Sequence, residues 1–340
     1  MHIKAATLIK KKLVKVLNLK LPKLSRGQIL VKIKYTSICH TQLQEIDGLR
    51  GRDRFLPHCL GHEATGIVLK TGKSVKKVKK NDKVCLSWVT SDGINAGGSK
   101  YYHKTKIINA GPINTFSNYT IVSENKVLKL PKFANLKRDV LMGCAIPTAF
   151  NAVFNVLKNS NKENIIILGC GGLGLVCIYA AKLKNYKNIY AIDKYLSKLK
   201  LAKKFGANKI INSNNKNYKN FIKNHQNFFN NGIECSGNLD VMKDGLSMIK
   251  NFGGKYVIIG NYPIGRFVKL NPWNFITGKI VTGAWTDQVS YSKKFKIFYK
   301  KIYKFKWKKY FSDKIYNLEN INQALSDFKK GKIIRPLIKI

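Results

Sequence analysis

At 340 residues, with 44% hydrophobic and 24% charged, the chain is long enough for two hydrophobic cores and ordinary for a soluble globular protein. Its 63 Lys and Arg against 17 Asp and Glu give a formal charge of +46, yet the lysines are spread over nearly every segment beside Asn and Ile, as drift in an A- and T-rich genome produces, and no nucleic-acid module accompanies them. The start, MHIKAATLIKKK, has no apolar run before a small-residue cleavage site, and seven cysteines in no dense framework suit reduced thiols, which together point to a cytoplasmic protein.

Residues 1–37 show short alternating segments, Ile3–Ile9, Leu13–Leu17 and Gln28–Tyr35, separated by Pro22 and Gly27, a β-rich start. Ser37-Ile38-Cys39-His40-Thr41-Gln42 leads into LQEIDG, which begins a short helix stopped at Gly48. A basic loop, Leu49–Leu60, precedes Gly61-His62-Glu63 and a strand over Ala64–Leu69. An Asn-Asp turn inside Val75–Lys83 is followed by a strand, Val84–Val89. Ser91–Asn118 reads as Gly- and Asn-rich loops with short strands, and Tyr119–Val122 and Lys126–Leu130 as strands closed by Pro131. Helical signals start near Leu136 and continue, with a break expected at Pro147, through Thr148–Leu157.

Asn164–Asp193 is the most informative stretch. Ile165–Leu168 has the pattern of a buried parallel strand and runs into Gly169-Cys170-Gly171-Gly172-Leu173-Gly174, which fits G-x-G-x-x-G. A helix over Leu173–Leu183 and a second strand, Ile189–Ile192, ending at Asp193 complete the unit. The glycines allow a tight turn, close approach of backbone to a pyrophosphate, and helix–strand packing, while the helix N-terminus offers free N–H groups to phosphate. A carboxylate at Asp193 suits ribose hydroxyls and repels a 2′-phosphate, which favours NAD over NADP. Ile165–Ala181 is uncharged, but it is shorter than the ~20 residues a bilayer needs and contains four glycines, so no membrane span is read here.

The β/α alternation persists through Ser197–Phe205 (helix), Lys209–Ile211 (strand), Tyr218–His225 (helix), Gly232–Cys235 (strand), Leu239–Ile249 (helix), and strands Tyr256–Ile259 and Ile280–Ala284. That is a doubly wound sheet inserted in a β-rich domain. Lys293–Lys309 reads as an amphipathic surface helix followed by a basic turn, Ile321–Phe328 as a helix and Ile333–Ile340 as a closing strand.

Cys39, His62 and Cys144 are the candidate metal ligands: two thiolates and an imidazole suit Zn²⁺ and leave a fourth position open. Scattered Cys and His are more often core residues, and spacing alone does not single these out. Context does, because S-I-C-H-T, G-H-E-A-T-G-I-V-L-K-T-G, G-C-A-I-P-T-A and G-C-G-G-L-G follow in that order. With those motifs the chain resembles the zinc-containing alcohol dehydrogenases of the medium-chain dehydrogenase/reductase superfamily over essentially its full length. The resemblance implies a GroES-like catalytic domain, residues 1–146 completed by 287–340, with a Rossmann domain inserted at 147–286.

It also implies site roles. Cys39, His62 and Cys144 bind the catalytic zinc, with Glu63 beside it as an occasional ligand; Thr41 takes the substrate proton. His40 and Arg335 contact the pyrophosphate, Gly169, Gly171, Gly172 and Gly174 form the nucleotide turn, Asp193 and Lys198 contact the adenosine ribose, and Trp88 lines the substrate pocket. The implied reaction moves a hydride between an alcohol, polyol or sugar-derived hydroxyl and NAD(H), in a homo-oligomer (dimer or tetramer) with no specific nucleic-acid partner. Three positions depart from the family pattern. Ser87–Gly143 holds no cysteine, so the lobe for a second, structural zinc is absent; Gln44 stands where a proton-accepting His is common; Gln42 replaces a carboxylate. The competing reading is a catalytically lapsed relative that binds nucleotide or nucleic acid through its basic surface.

Overall fold

The computed structural model describes residues 1–157, 163–285, 291–305, 307–311 and 313–340. In chain order it begins with β1 (His2–Lys10), β2 (Leu13–Lys20), β3 (Gln28–Ser37), α1 (His40–Ile46), β4 (His58–Cys59), β5 (Glu63–Thr71) and β6 (Lys83–Ser87). There follow β7 (Ser99–His103), β8 (Lys106–Gly111), β9 (Tyr119–Ser123), β10 (Val127–Lys129), α2 (Leu136–Asp139) and α3 (Ala145–Phe150). The alternating stretch is β11 (Asn164–Leu168), α4 (Gly172–Leu183), β12 (Asn188–Asp193), α5 (Leu196–Phe205), β13 (Lys209–Asn212), α6 (Tyr218–Asn224), β14 (Asn231–Glu234), α7 (Leu239–Met248), β15 (Lys255–Ile258), α8 (Trp273–Ile276) and β16 (Ile280–Gly283). The remaining elements are α9 (Tyr291–Lys301), α10 (Trp307–Tyr310), β17 (Ile315–Tyr316), α11 (Ile321–Lys329) and β18 (Leu337–Lys339).

Two compact units result: Met1–Cys144 with Asp287–Lys300 and Tyr310–Ile340, and Ala145–Thr286 with Lys301–Lys309. In the first, β1, β2, β7, β8 and β4 close into a barrel, and a second sheet runs β10-β6-β5-β3-β18-β17, with β9 also paired to β3. Alternation in β3 turns Ile29, Val31 and Ile33 inward, where they pack with Val68, Val84, Leu86 and Val122. Because β18 lies antiparallel to β3, with Leu337 opposite Ser37, the chain just before β18 is delivered to the end of β3.

The second unit is one parallel sheet, β13-β12-β11-β14-β15-β16. Ile165–Leu168 is buried without a break, as a strand covered on both faces must be. The expected break at Pro147 does not occur: α3 starts at Ala145, so Pro147 falls in the first turn, where its missing N–H is not needed, and a π-helical turn over Asn151–Val156 carries the helix on. Tyr179 of α4 stacks edge-on with Phe305 at 5.0 Å and donates its hydroxyl to Lys301 O at 3.0 Å. Lys301–Lys309 therefore sorts with the second unit, whereas the sequence reading gave all of 287–340 to the first. Among the described residues no single helix is long and apolar enough to cross a membrane.

Candidate metal centre and nucleotide turn

Cys39 caps α1, His62 stands at the entry to β5, and Cys144 follows a 3₁₀ turn over Val140–Gly143. Their ligand atoms lie within 4.8 Å of one another. Two glycines permit this approach. Gly61 has a φ of +95°, and a Cβ there would meet Thr115 Oγ1 at 2.4 Å; a Cβ at Gly143 would meet Leu86 O at 2.5 Å. His62 Nε2 is buried and, among the described residues, has no hydrogen-bond partner. An orphan ring nitrogen grouped with two thiols is the donor set of a tetrahedral Zn²⁺ site, so these residues fit the metal. Cys39 is held well below the usual thiol range, chiefly because Cys144 donates its S–H to it, with the Arg335 guanidinium adding positive charge; Cys144 is pushed up in turn. The proton shared by the two sulfurs is what a cation would displace.

Gln42, 2% exposed, accepts the Cys39 N–H at 3.0 Å through Oε1, and its amide also meets His62 Nδ1. The amide atom that faces Nδ1 is Gln42 Nε2, so the side chain bridges the Cys39 backbone N–H and the His62 ring. One side chain thus caps the helix and sets the imidazole. Cys39 Sγ and Thr41 Oγ1 lie 3.7 Å apart, which places the threonine hydroxyl beside a candidate ligand. His40 lies edge-on to Phe328, with ring centroids 5.8 Å apart. Trp88 is half-buried, and its carbonyl accepts from Lys126 Nζ at 2.7 Å.

Glu63 is not one of the converging three. Its Oε1 accepts from Ser37 Oγ at 2.5 Å and from Arg335 Nη2, and Arg335 Nε donates to Ser37 Oγ at 3.3 Å. All three side chains are buried. Burial pushes the Glu63 carboxyl up while the Arg335 guanidinium opposes that, and Glu63 Oε2 remains without a partner. Arg335 thus sits against the residue that follows a metal ligand. Ser37 was not anticipated; a serine two positions before a C-H-T motif carries no sequence signal of its own.

In the second unit β11 ends at Leu168, Gly169 follows with a φ of +91°, and α4 starts at Gly172 with Gly171 as its cap. A Cβ at Gly174 would fall 1.8 Å from Gly169 O, so that position needs glycine for packing. A Cβ at Gly171 would meet nothing within 4 Å, so nothing inside the protein demands glycine there. That open side is where a phosphate can approach backbone. Asp193 closes the turn: Oδ2 accepts from Cys170 N at 2.8 Å and Oδ1 from Tyr195 N at 2.9 Å. Lys198 and Lys194 lie over the Tyr195 ring, at 4.7 and 5.1 Å.

Comparison with known proteins gives the family of both parts of the chain. The alcohol dehydrogenase GroES-like domain matches residues 25–132, and the zinc-binding dehydrogenase family matches residues 172–296. An S-(hydroxymethyl)glutathione dehydrogenase of Photobacterium damsela subsp. piscicida is 30% identical over 291 residues, 76% of this chain and 78% of that protein. A benzyl alcohol dehydrogenase from Acinetobacter calcoaceticus superposes with a TM-score of 0.87 at 27% identity, covering 100% of this chain and 99% of that one. The 2R,3R-butanediol dehydrogenase of Bacillus subtilis shares the fold, with a TM-score of 0.81 at 21% identity over 99% of each chain. With a Cys-His-Cys centre in a GroES-like domain and a glycine turn in a parallel sheet, the chain belongs to the zinc-containing alcohol dehydrogenase family, whose chemistry is zinc-dependent, NAD-linked alcohol oxidoreduction.

Proposed function

We propose that the chain interconverts a small alcohol, polyol or sugar-derived hydroxyl and its carbonyl with NAD(H), using one catalytic zinc held by Cys39, His62 and Cys144. The observation that carries this is the convergence of those three ligand atoms within 4.8 Å, with His62 Nε2 left orphaned. When bound, zinc supplies Lewis acidity toward the substrate oxygen. The chain's own residues do the rest. Gln42 fixes the His62 ring, the Ser37–Glu63–Arg335 group holds a buried carboxylate beside it, and Thr41, next to Cys39, takes the substrate proton. Gln44 cannot titrate, so the proton leaves Thr41 by a route other than that side chain. In the second unit the Gly169–Gly174 turn takes the pyrophosphate.

Asp193 and Lys198 take the ribose, and the Asp193 carboxylate favours NAD over NADP. Ser87–Gly143 has no cysteine, which supports the absence of a structural zinc. Homo-oligomerisation is supported by β16, an edge strand with Ile280 exposed, and by exposed Trp273 and Ile276 just before it. A cytoplasmic enzyme with no membrane or specific nucleic-acid partner completes the proposal. Elemental analysis should give one zinc per chain, and NADH absorbance should rise with members of a panel of alcohols, polyols and sugar derivatives. Two tightly bound zincs, equal efficiency with NADP, or no turnover by the zinc-loaded protein would each overturn the corresponding part.

A further inference from the structure

Arginine is scarce here: 7 of the 63 basic residues, the others being lysine. In a chain whose cationic positions have gone so uniformly to lysine, an arginine marks a place where a point charge does not serve and a planar fork does. Arg138 and Arg335 are of that kind, one buried against Asp139 and Tyr299, the other against Glu63 and Ser37. Three more arginines, Arg50, Arg52 and Arg54, fall within five residues on the loop that leaves α1, the helix capped by Cys39. All three are exposed, and among the described residues their side chains have no hydrogen bond or ion pair.

The loop is built to present them. The one acid between Leu49 and Leu60, Asp53, is turned inward: Oδ2 pairs with His58 Nε2 at 2.8 Å and Oδ1 accepts the Phe55 N–H at 2.9 Å. Asn109 ties the loop down from the neighbouring strand β8, donating from Nδ2 to Phe55 O at 2.6 Å and from its backbone to Pro57 O at 3.0 Å. His58 joins the loop to the helix that Cys39 caps: its Nε2 lies 3.8 Å from Glu45 Oε1 of α1 and 2.8 Å from Asp53 Oδ2 between the arginines. Phe55, 69% exposed, adds an apolar surface beside the guanidinium groups.

We propose that Arg50, Arg52 and Arg54 are a recognition site for an anionic group, carboxylate or phosphate, carried by the alcohol substrate. The proposal rests on the zinc- and NAD-dependent reading above and narrows its substrate to alcohols bearing such a group. Guanidinium forks engage carboxylate and phosphate oxygens in pairs, with a geometry the surrounding lysines do not supply.

The test uses the zinc-loaded full chain, saturating NAD and 0.15 M salt, with three probes sharing one carbinol: benzyl alcohol, 4-(hydroxymethyl)benzoate and 4-(hydroxymethyl)phenyl phosphate. The expected result is kcat/KM at least about tenfold higher for one anionic probe than for benzyl alcohol, the better probe identifying the anion. The R50Q/R52Q/R54Q variant should lose that excess while benzyl alcohol stays within about twofold, and R50K/R52K/R54K should restore less than half of it. Equal efficiency for the three probes in the wild type overturns the proposal, as does a loss in the glutamine variant shared equally by benzyl alcohol. A lysine variant as efficient as the wild type overturns the arginine geometry. A weakened NADH affinity in the glutamine variant, read by fluorescence titration, would assign the loop to the cofactor and also overturn it. Failure of the zinc-loaded wild type to turn over any probe while it still binds NADH would instead strike the dehydrogenase reading itself.

Discussion

Arg335 and Glu63 show how much a single buried pair can matter when only one partner is removed. Arg335→Gln leaves the Glu63 carboxyl in a site where both residues are less than 5% exposed, so unfolding free energy should fall by about 3–5 kcal/mol. Adding Glu63→Gln should return most of that loss, and urea denaturation of the zinc-loaded variants measures both. If the single change costs no more than the double, the pair is not what stabilises this corner. Gln42 makes a second residue-level prediction. Two thiolates balance Zn²⁺, and a carboxylate placed where the amide meets His62 would leave the cluster at −1. Gln42→Asp should therefore raise the apparent pKa governing alcohol oxidation, by about one unit, or ~1.4 kcal/mol. An unchanged pH–rate profile in a variant that keeps its zinc ends that account. At this scale the candidate ligands were legible because Cys39 opens C-H-T while His62 and Cys144 each follow a glycine, in short motifs met in a fixed order. Ser37 was not, because its partners stand 26 and 298 positions away and no local pattern announces such a contact.

Among the elements, the turn between β11 and α4 offers a paired test. Gly174→Ala places a methyl 1.8 Å from Gly169 O and should lower both the melting temperature and NADH affinity. Gly171→Ala meets no atom within 4 Å, so the fold should keep its melting temperature while NADH affinity falls at least about tenfold, because the methyl occupies the phosphate's approach. Calorimetry and fluorescence titration together decide, and unchanged NADH affinity in Gly171→Ala would remove that turn from the cofactor site. Elements with a sustained pattern were readable: the unbroken apolar run of β11, the glycine stop after α5, and the amphipathic α9. β4 and α8, of two and four residues, are too short to express any periodicity. Pro147 misled because a proline signals a break in a helix interior but is tolerated in a first turn, and the start of α3 at Ala145 has no capping residue to mark it.

For the whole molecule, the +46 charge is the property most open to misreading. If it is spread by drift, binding to random-sequence duplex DNA should be weak and gone at physiological salt, as counterion release dictates. A complex that survives that salt and prefers one sequence would give the basic surface a function. The order of strands carries a different consequence. β18 lies between β3 and β17, and Arg335 reaches Glu63 across 272 positions, whereas β11 to β16 follow one another without interruption. On the ribosome the inserted sheet can therefore be finished while the unit that surrounds it still lacks an interior strand. Until Arg335 emerges, Glu63 waits without its counter-charge. A nascent chain arrested before that point is expected to retain NADH on an affinity column yet lose zinc to a mild chelator, making nucleotide binding an earlier milestone of biogenesis than metal retention.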